Sequence, residues 1–335
     1  MSIHFFETTP DEEHYLRHRL PTEALAFHTE PLTQASQVAD AADADIVSPF
    51  VHSTLSAEVI GALPHLKMIA TRSTGFDHIN VPAAESRGIP VCNVPTYGEN
   101  TVAEHTFALI LALSRNLHKA YVRTTQGDFS LEGLKGFDLK GKTLGVVGTG
   151  HIGLHVVRIA KGFAMDVVAF DPAPNANAAE LLGFRYTSLD DLLAESDIVT
   201  LHAPLTPGAG HLIGAHNIEK FKQGALLINT ARGGLVDTEA LIGALDSGQL
   251  RGAGLDVIEG EAVFSEEKQL LLNPEANQES LKTALRNLSL LRRTDLVITP
   301  HIAFDSTEAV ERILDTTVAN IRAFRDGAPQ NVVHT

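Results

Sequence analysis

The 335-residue chain has one cysteine, Cys92. An intramolecular disulfide is therefore excluded, and a reducing, cytoplasmic setting is expected. The thiol lies in Val91-Cys92-Asn93-Val94, which reads as a buried strand and not as the surroundings of a nucleophile. Long apolar runs are lacking too, since none reaches the ~18 residues that cross a bilayer. Met1-Ser2-Ile3-His4 leads into a strand-like segment with no basic stretch or small-residue cleavage site, so secretion is not expected. Positive charge is in deficit: 26 Lys and Arg stand against 41 Asp and Glu, a net charge of −15. Nucleic acid and anionic membrane surfaces are disfavoured as partners on that ground. An anionic small molecule would have to be met by local positive groups, for which Arg72 and Arg232 are candidates. Internal repeats and low-complexity tracts are missing, and no metal site is expected.

What is present points to an α/β protein. An apolar fraction of 44% suits a globular chain, and the length allows two domains. Short apolar runs at residues 3–6, 24–27, 45–47, 68–70 and 91–94 form one series of strands. A second series covers 144–147, 167–170, 198–201, 225–228, 254–257 and 297–299. Helical patterns separate the members of each, notably at 154–162, 189–195, 218–221 and 238–247. Such alternation implies parallel sheets covered on both faces, hence two doubly wound parallel-sheet domains. Residues 101–123 read as one long buried connecting helix, and 306–326 as a helix after the last strand. These crossings suggest a discontinuous arrangement, with 1–98 plus 301–335 as one domain and 99–300 inserted as the other. The alternative is a single linker near 120–140. Residues 266–295 read as a polar excursion between strands.

Gly148-Thr149-Gly150-His151-Ile152-Gly153 follows the run 144–147, and Asp171 ends the next one. The first two glycines permit a tight turn and close backbone approach to a pyrophosphate. The third lets a helix pack on the strand with its N-terminus toward the phosphates. Asp171 stands 18 residues beyond Gly153, where a carboxylate can accept from ribose hydroxyls and would repel a 2′-phosphate. A glycine turn of purely structural purpose is the alternative, but strand, helix, strand and acid in this order favour a dinucleotide site for NAD.

Three further segments sit at predicted strand C-terminal ends, where such sheets hold ligands. In Ile228-Asn229-Thr230-Ala231-Arg232-Gly233-Gly234 a guanidinium can present a bidentate fork to a carboxylate. Gly254-Leu255-Asp256-Val257-Ile258-Glu259-Gly260-Glu261 supplies acids that could equally be caps or solvated loop. In Ile298-Thr299-Pro300-His301-Ile302-Ala303 a histidine follows a strand; beside a nicotinamide site it could serve as the proton donor that carbonyl reduction needs. A carboxylate next to it would raise its pKa and orient it.

Together these segments resemble the D-isomer-specific 2-hydroxyacid dehydrogenase family over nearly the whole chain, and most of all its D-lactate dehydrogenase branch. The resemblance implies a Rossmann NAD domain inserted into a flavodoxin-like substrate domain. It implies that Arg232 holds the substrate carboxylate and polarises its carbonyl, and that Glu261, 29 residues on, pairs with His301, which exchanges the proton. Besides Gly148, Gly150, His151, Ile152, Gly153 and Asp171, it places Thr101, the His202-Ala203-Pro204 loop, Thr230, Ala231, Arg232 and Asp256 at the cofactor, Asp256 near the nicotinamide carboxamide. The substrate is expected at Thr74 and Gly75 of Thr71-Arg72-Ser73-Thr74-Gly75-Phe76-Asp77, at Tyr97, Arg232 and His301, and against Phe304. Two departures are notable: Asp305 stands where that branch commonly has a tyrosine, and Ala209 replaces a frequent polar cofactor contact.

The expected reaction is NAD-dependent reduction of a small 2-oxo acid, pyruvate in the first instance, to the D-2-hydroxy acid by a homodimer. Hydroxypyruvate or glyoxylate reduction differs only in pocket shape. Phosphoglycerate oxidation is disfavoured because no regulatory extension follows residue 335, and formate oxidation because related formate enzymes carry an amide where Glu261 stands. An NAD(H)-sensing, corepressor-like binding protein is the reading from another class, disfavoured by the missing long extension.

Overall fold

The computed structural model describes residues 1–206, 208–259 and 289–334. Its contacts separate two compact units, Met1–Tyr97 with Ser306–Thr335, and Gly98–Asp305.

The first unit is built on five strands: β1 (Ser2–Phe6), β2 (Ala24–His28), β3 (Ile46–Ser48), β4 (Met68–Ala70) and β5 (Val91–Cys92). They lie in the order β2-β1-β3-β4-β5, every pair parallel. Because side chains alternate along a strand, Ile46, Met68, Ala70 and Cys92 enter one core while Val47, Ile69 and Val91 enter the other. Short helices cover these faces, among them α1 (Pro10–Arg19), α2 (Ala57–Gly61) and α3 (Val81–Ser86). The start of α1 is dictated locally: Thr9 and Glu12 form a capping box and Pro10 occupies the first turn.

The second unit contains helices α4 (Glu99–Ser114) and α5 (Leu117–Thr125), then strands β6 (Thr143–Val147), β7 (Asp166–Phe170), β8 (Arg185–Tyr186), β9 (Ile198–Leu201), β10 (Ala225–Asn229), β11 (Leu250–Leu255) and β12 (Leu296–Ile298). Their order is β12-β11-β10-β9-β6-β7-β8, again all parallel. The chain reverses its direction of progress between β6 and β9, the switch point at which such sheets open a crevice. Helices α6 (His151–Gly162), α7 (Ala176–Leu182), α8 (Leu189–Glu195) and α9 (Thr238–Asp246) belong to the same unit. The last helix, α10 (Thr307–Arg325), is capped by Ser306 and returns the chain to the first unit, where Leu314, Val318 and Ile321 join the core beside β1 and β4.

The fold class is the one expected, and several elements differ in detail. The predicted helix over 101–123 is two helices: Asn116 adopts φ 50° between α4 and α5, and its side-chain amide donates to the carbonyls of Leu134 and Lys135. Asparagine tolerates that left-handed geometry better than most residues, so a break goes there with little strain. The strand predicted at 254–257 runs from Leu250 to Leu255, because Asp256 turns away to gather the chain beyond β12. Residues 218–221 form a short 3-10 turn, and β8, only two residues long, escaped the pattern. Residues 301–305, assigned by sequence with the tail, group with the second unit. Asp256 explains that as well, since it holds His301, Ile302 and Ala303 by hydrogen bonds. Of the 266–295 excursion, only 289–295 is described; there Arg293 bridges Asp246 and Asp295.

Gly254 sets how closely α4 rides on the sheet, and Gly252 how closely the chain entering β12 passes β11. A Cβ at Gly254 would come within 2.9 Å of Leu109 Cβ, and one at Gly252 within 2.6 Å of Asp295 O. Only a residue without a side chain fits at either position.

Candidate active site

The glycine fingerprint owes its shape to three separate demands. Gly148 has φ 94°, and a Cβ there would lie 2.6 Å from the carbonyl oxygen of His202. The turn after β6 is thereby pressed against the loop after β9, with the His202 amide donating to Val147 O at 2.7 Å. At Gly153 a Cβ would lie 2.1 Å from Gly148 O, so helix α6 can pack on the turn only with glycine there. Gly150 is different: nothing lies within 4 Å of where its Cβ would be. Open space beside the first residue of a helix that no side chain caps, with the amides of His151, Ile152 and Gly153 in its first turn, is what a pyrophosphate requires.

Asp171 follows β7 and holds the far side of this turn. Its Oδ2 accepts from the Thr149 amide at 2.7 Å and from the Thr149 hydroxyl, and its Oδ1 accepts from the Ala173 amide. Burial pushes this carboxyl upward, but the Thr149 and Ala173 donors outweigh it and hold the group below the usual carboxylate range. It is an anion at neutral pH with acceptor capacity left for ribose hydroxyls. Tyr186, on β8, adds its hydroxyl at 2.8 Å from Thr149 Oγ1. The residues present therefore fit a dinucleotide, and the acid fits one with a free 2′-hydroxyl.

His202, half-buried, sits with Nε2 2.9 Å from Thr200 Oγ1, and burial drives its pKa down to about 3. It is neutral at physiological pH and brings no charge to the phosphates. Ala203 and Pro204 continue the same loop, the Ala203 amide lying against Gly148.

Strands β10, β11 and β12 end in register, with Asn229 opposite Leu255 and Leu255 opposite Ile298. The loops bearing Arg232, Asp256 and His301 consequently leave from three neighbouring strand ends. Asn229 is fully buried and shapes the first of them: its Oδ1 accepts from the Ala231 amide and its Nδ2 donates to Arg232 O. Thr230 is anchored from α4 by Thr106, hydroxyl to hydroxyl at 3.0 Å. Arg232 itself is half-buried, its Nη1 donating to Ala231 O. Asp256 is 1% exposed; its carboxylate accepts from Thr299 Oγ1 and from the amides of Ile302 and Ala303, and its carbonyl accepts from the His301 amide. His301 adopts φ 54°, and its ring stands edge-on to Phe304 with centroids 6.4 Å apart. Glu261, the expected partner of His301, lies outside the described residues. So does Pro207, beside the Ala209 substitution.

In the first unit, the loop after β4 carries Thr74 and Gly75. Thr74 is exposed; its hydroxyl donates to Val94 O and its carbonyl accepts from Asn93 Nδ2, while Ser73 Oγ donates to Gly75 O. Tyr97 closes this unit, its carbonyl accepting from Arg312 Nε of α10. Arg72 does not play the part its charge suggested. It is 0% exposed and its two terminal nitrogens are committed to the carbonyls of Phe6, Glu7 and Ser48. A guanidinium so placed knits the ends of β1 and β3 to this loop and cannot touch a substrate. Cys92 is buried and its thiol is pushed up to about 11, which makes it inert as expected.

Thr101 is buried in the first turn of α4. The residues that sequence reading passes over are His105, Thr106 and Tyr186, and for Asn229 it gives no role. His105, Thr106 and Tyr186 act through partners far away in the chain, and no local pattern marks them.

Comparison with known proteins agrees with this architecture. Residues 107–303 match the D-isomer specific 2-hydroxyacid dehydrogenase, NAD binding domain. A 2-hydroxyacid dehydrogenase homolog of Haemophilus influenzae is 40% identical over 285 residues, covering 84% of this chain and 83% of its own. The D-lactate dehydrogenase of Escherichia coli is 41% identical over 231 residues, 69% of this chain and 68% of its own. A D-lactate dehydrogenase from Aquifex aeolicus, solved with NAD and lactic acid, superposes with a TM-score of 0.85 at 36% identity, covering 97% of this chain and 96% of that one. Among the described residues, no helix is long and apolar enough to cross a membrane. With likeness of this extent in both sequence and fold, the chain belongs to the D-isomer specific 2-hydroxyacid dehydrogenase family, an NAD-dependent oxidoreductase whose second unit is an NAD-binding domain.

Proposed function

We propose that the protein reduces pyruvate to D-lactate, with Arg232 as the carboxylate anchor and His301 as the proton donor. The observation that carries this reading is the common end of β10, β11 and β12, from which Arg232, Asp256 and His301 depart side by side. Bound NADH would supply the hydride to the carbonyl carbon. Arg232 grips the carboxylate with its planar fork and draws electron density toward the carbonyl oxygen. His301, in its imidazolium form and paired with Glu261, gives its proton to that oxygen as negative charge develops. In the first unit, Thr74, Gly75 and Tyr97 are the residues that the family resemblance assigns to the substrate, which makes that unit the substrate domain. Phe304, beside the His301 ring, sets the space for the side chain and favours one as small as a methyl. NAD is held by the Gly148–Gly153 turn, Asp171, the 202–204 loop, Thr101, Thr230 and Ala231. For Asp256 the buried carboxylate supports a supporting role more strongly than direct contact with the carboxamide.

We further infer a homodimer. Leu117, Tyr121 and Val122 of α5, with Phe129 and Leu131 just beyond, are large apolar residues half or more exposed on the second unit. Arg123 folds the segment back by donating to Glu132 O. Apolar side chains gathered in one stretch mark an association surface better than scattered ones do.

NADH absorbance at 340 nm, followed with pyruvate, phenylpyruvate, hydroxypyruvate, glyoxylate and 2-oxoisocaproate, tests the substrate. The highest kcat/KM is expected for pyruvate. Preference for another acid moves the assignment within the family. No oxidation of NADH that nonetheless binds would favour a nucleotide-sensing role.

A further inference from the structure

Two consecutive residues of α4 reach two different loops of the site. Thr106 meets Thr230, after β10, and His105 meets Thr299, after β12. The close seat of α4 over Gly254 makes both contacts possible.

The hydrogen-bond direction at Thr299 can be deduced. Its hydroxyl donates to Asp256 Oδ1 at 2.5 Å, which uses its only proton. His105 Nε2, 3.1 Å from that hydroxyl oxygen, must then carry a hydrogen and donate. The same Nε2 lies 3.5 Å from Asp256 Oδ1. A directed chain results, from His105 through Thr299 to a buried carboxylate. That carboxylate accepts in turn from the Ile302 and Ala303 amides at 2.9 Å each. Between these anchor points stands His301 at φ 54°, a backbone region that is strained for an L residue and persists only when the surroundings impose it. Its amide donates to Asp256 O and to Thr299 O. Both hydrogen bonds of the His301 amide thus end on Asp256 or Thr299, and His105 is the α4 side chain that meets this pair.

We propose that His105 is a positioning residue for His301: its Nε2–H locks the Thr299–Asp256 pair, which holds the His301 loop in its left-handed turn. The proposal rests on His301 being the proton donor. Removing the His105 donor takes one of the two hydrogen bonds from the Thr299 hydroxyl and loosens the imidazole, while the NAD-holding turn 148–153 is untouched.

The test compares His105→Phe, His105→Gln and His301→Ala with the wild type, measuring kcat with pyruvate at saturating NADH, the Kd of NADH from its own fluorescence, and Tm. Phenylalanine fills the volume without a donor, whereas glutamine restores one. His105→Phe is expected to lower kcat roughly 10- to 100-fold, as misplacement of a reacting group by a fraction of an ångström does. NADH affinity should stay at the wild-type value, and His105→Gln should recover much of the loss. A merely structural contribution would lower Tm in both variants and leave kcat of the folded enzyme unchanged, which overturns the proposal. If His301→Ala keeps wild-type turnover, the proton-donor assignment itself falls. If His301→Ala loses turnover while both His105 variants retain it, the positioning role alone is refuted.

Discussion

Arg232 follows a buried asparagine whose two amide atoms are used on the loop itself, one on Ala231 N and one on Arg232 O. The guanidinium is thus presented from a backbone that cannot drift. Arg232→Lys keeps the charge and loses the fork, so kcat/KM for the 2-oxo acid should fall roughly 10²- to 10³-fold, the scale of losing one directed donor to a developing oxyanion. Steady-state kinetics at saturating NADH check this, and an unchanged kcat/KM would contradict the role. At this scale the sequence was legible wherever the reason for a residue is local. Gly148 and Gly153 are demanded by a turn and a helix contact within six residues of chain. Asp256 and His105 were not legible in the same way. The sequence places Asp256 beside the cofactor, yet its hydrogen bonds reach 43 to 47 residues onward, and His105 meets Thr299 across 194.

The strands were readable because alternation along β1, β4, β6 and β9 divides side chains between two apolar cores, leaving short runs of apolar residues with turn signals around them. Two-residue β8 has no such run. The break between α4 and α5 was hidden because apolar periodicity continues across Asn116, and only the left-handed backbone there ends the helix. That break has a consequence: α5 turns a largely apolar side outward. Phe129 and Leu131, just past it, are 79% and 84% exposed. Light scattering should give the wild type twice the 36.0 kDa of one chain. The double variant Phe129→Ser, Leu131→Ser should shift it toward the monomer with Tm of the single chain little changed. A monomeric wild type at micromolar concentration would refute the dimer.

Across the whole molecule, the deficit of positive charge posed the question of how an anion is received. Arg72 was a plausible answer from composition, and its burial under three carbonyls removes it. What remains is a division of labour by strand ends. The β6 and β7 ends make a dinucleotide cradle, and the β10, β11 and β12 ends carry the groups assigned to the chemistry. The central claim is that His301 gives the proton as hydride reaches the carbonyl. Stopped-flow single turnover of pre-bound NADH with excess pyruvate, wild type against His301→Ala, measures that step directly. NADH is expected to bind both proteins equally, and its oxidation to slow roughly 10²- to 10⁴-fold in the variant, the range for loss of general acid catalysis. Oxidation at the wild-type rate in His301→Ala would contradict it.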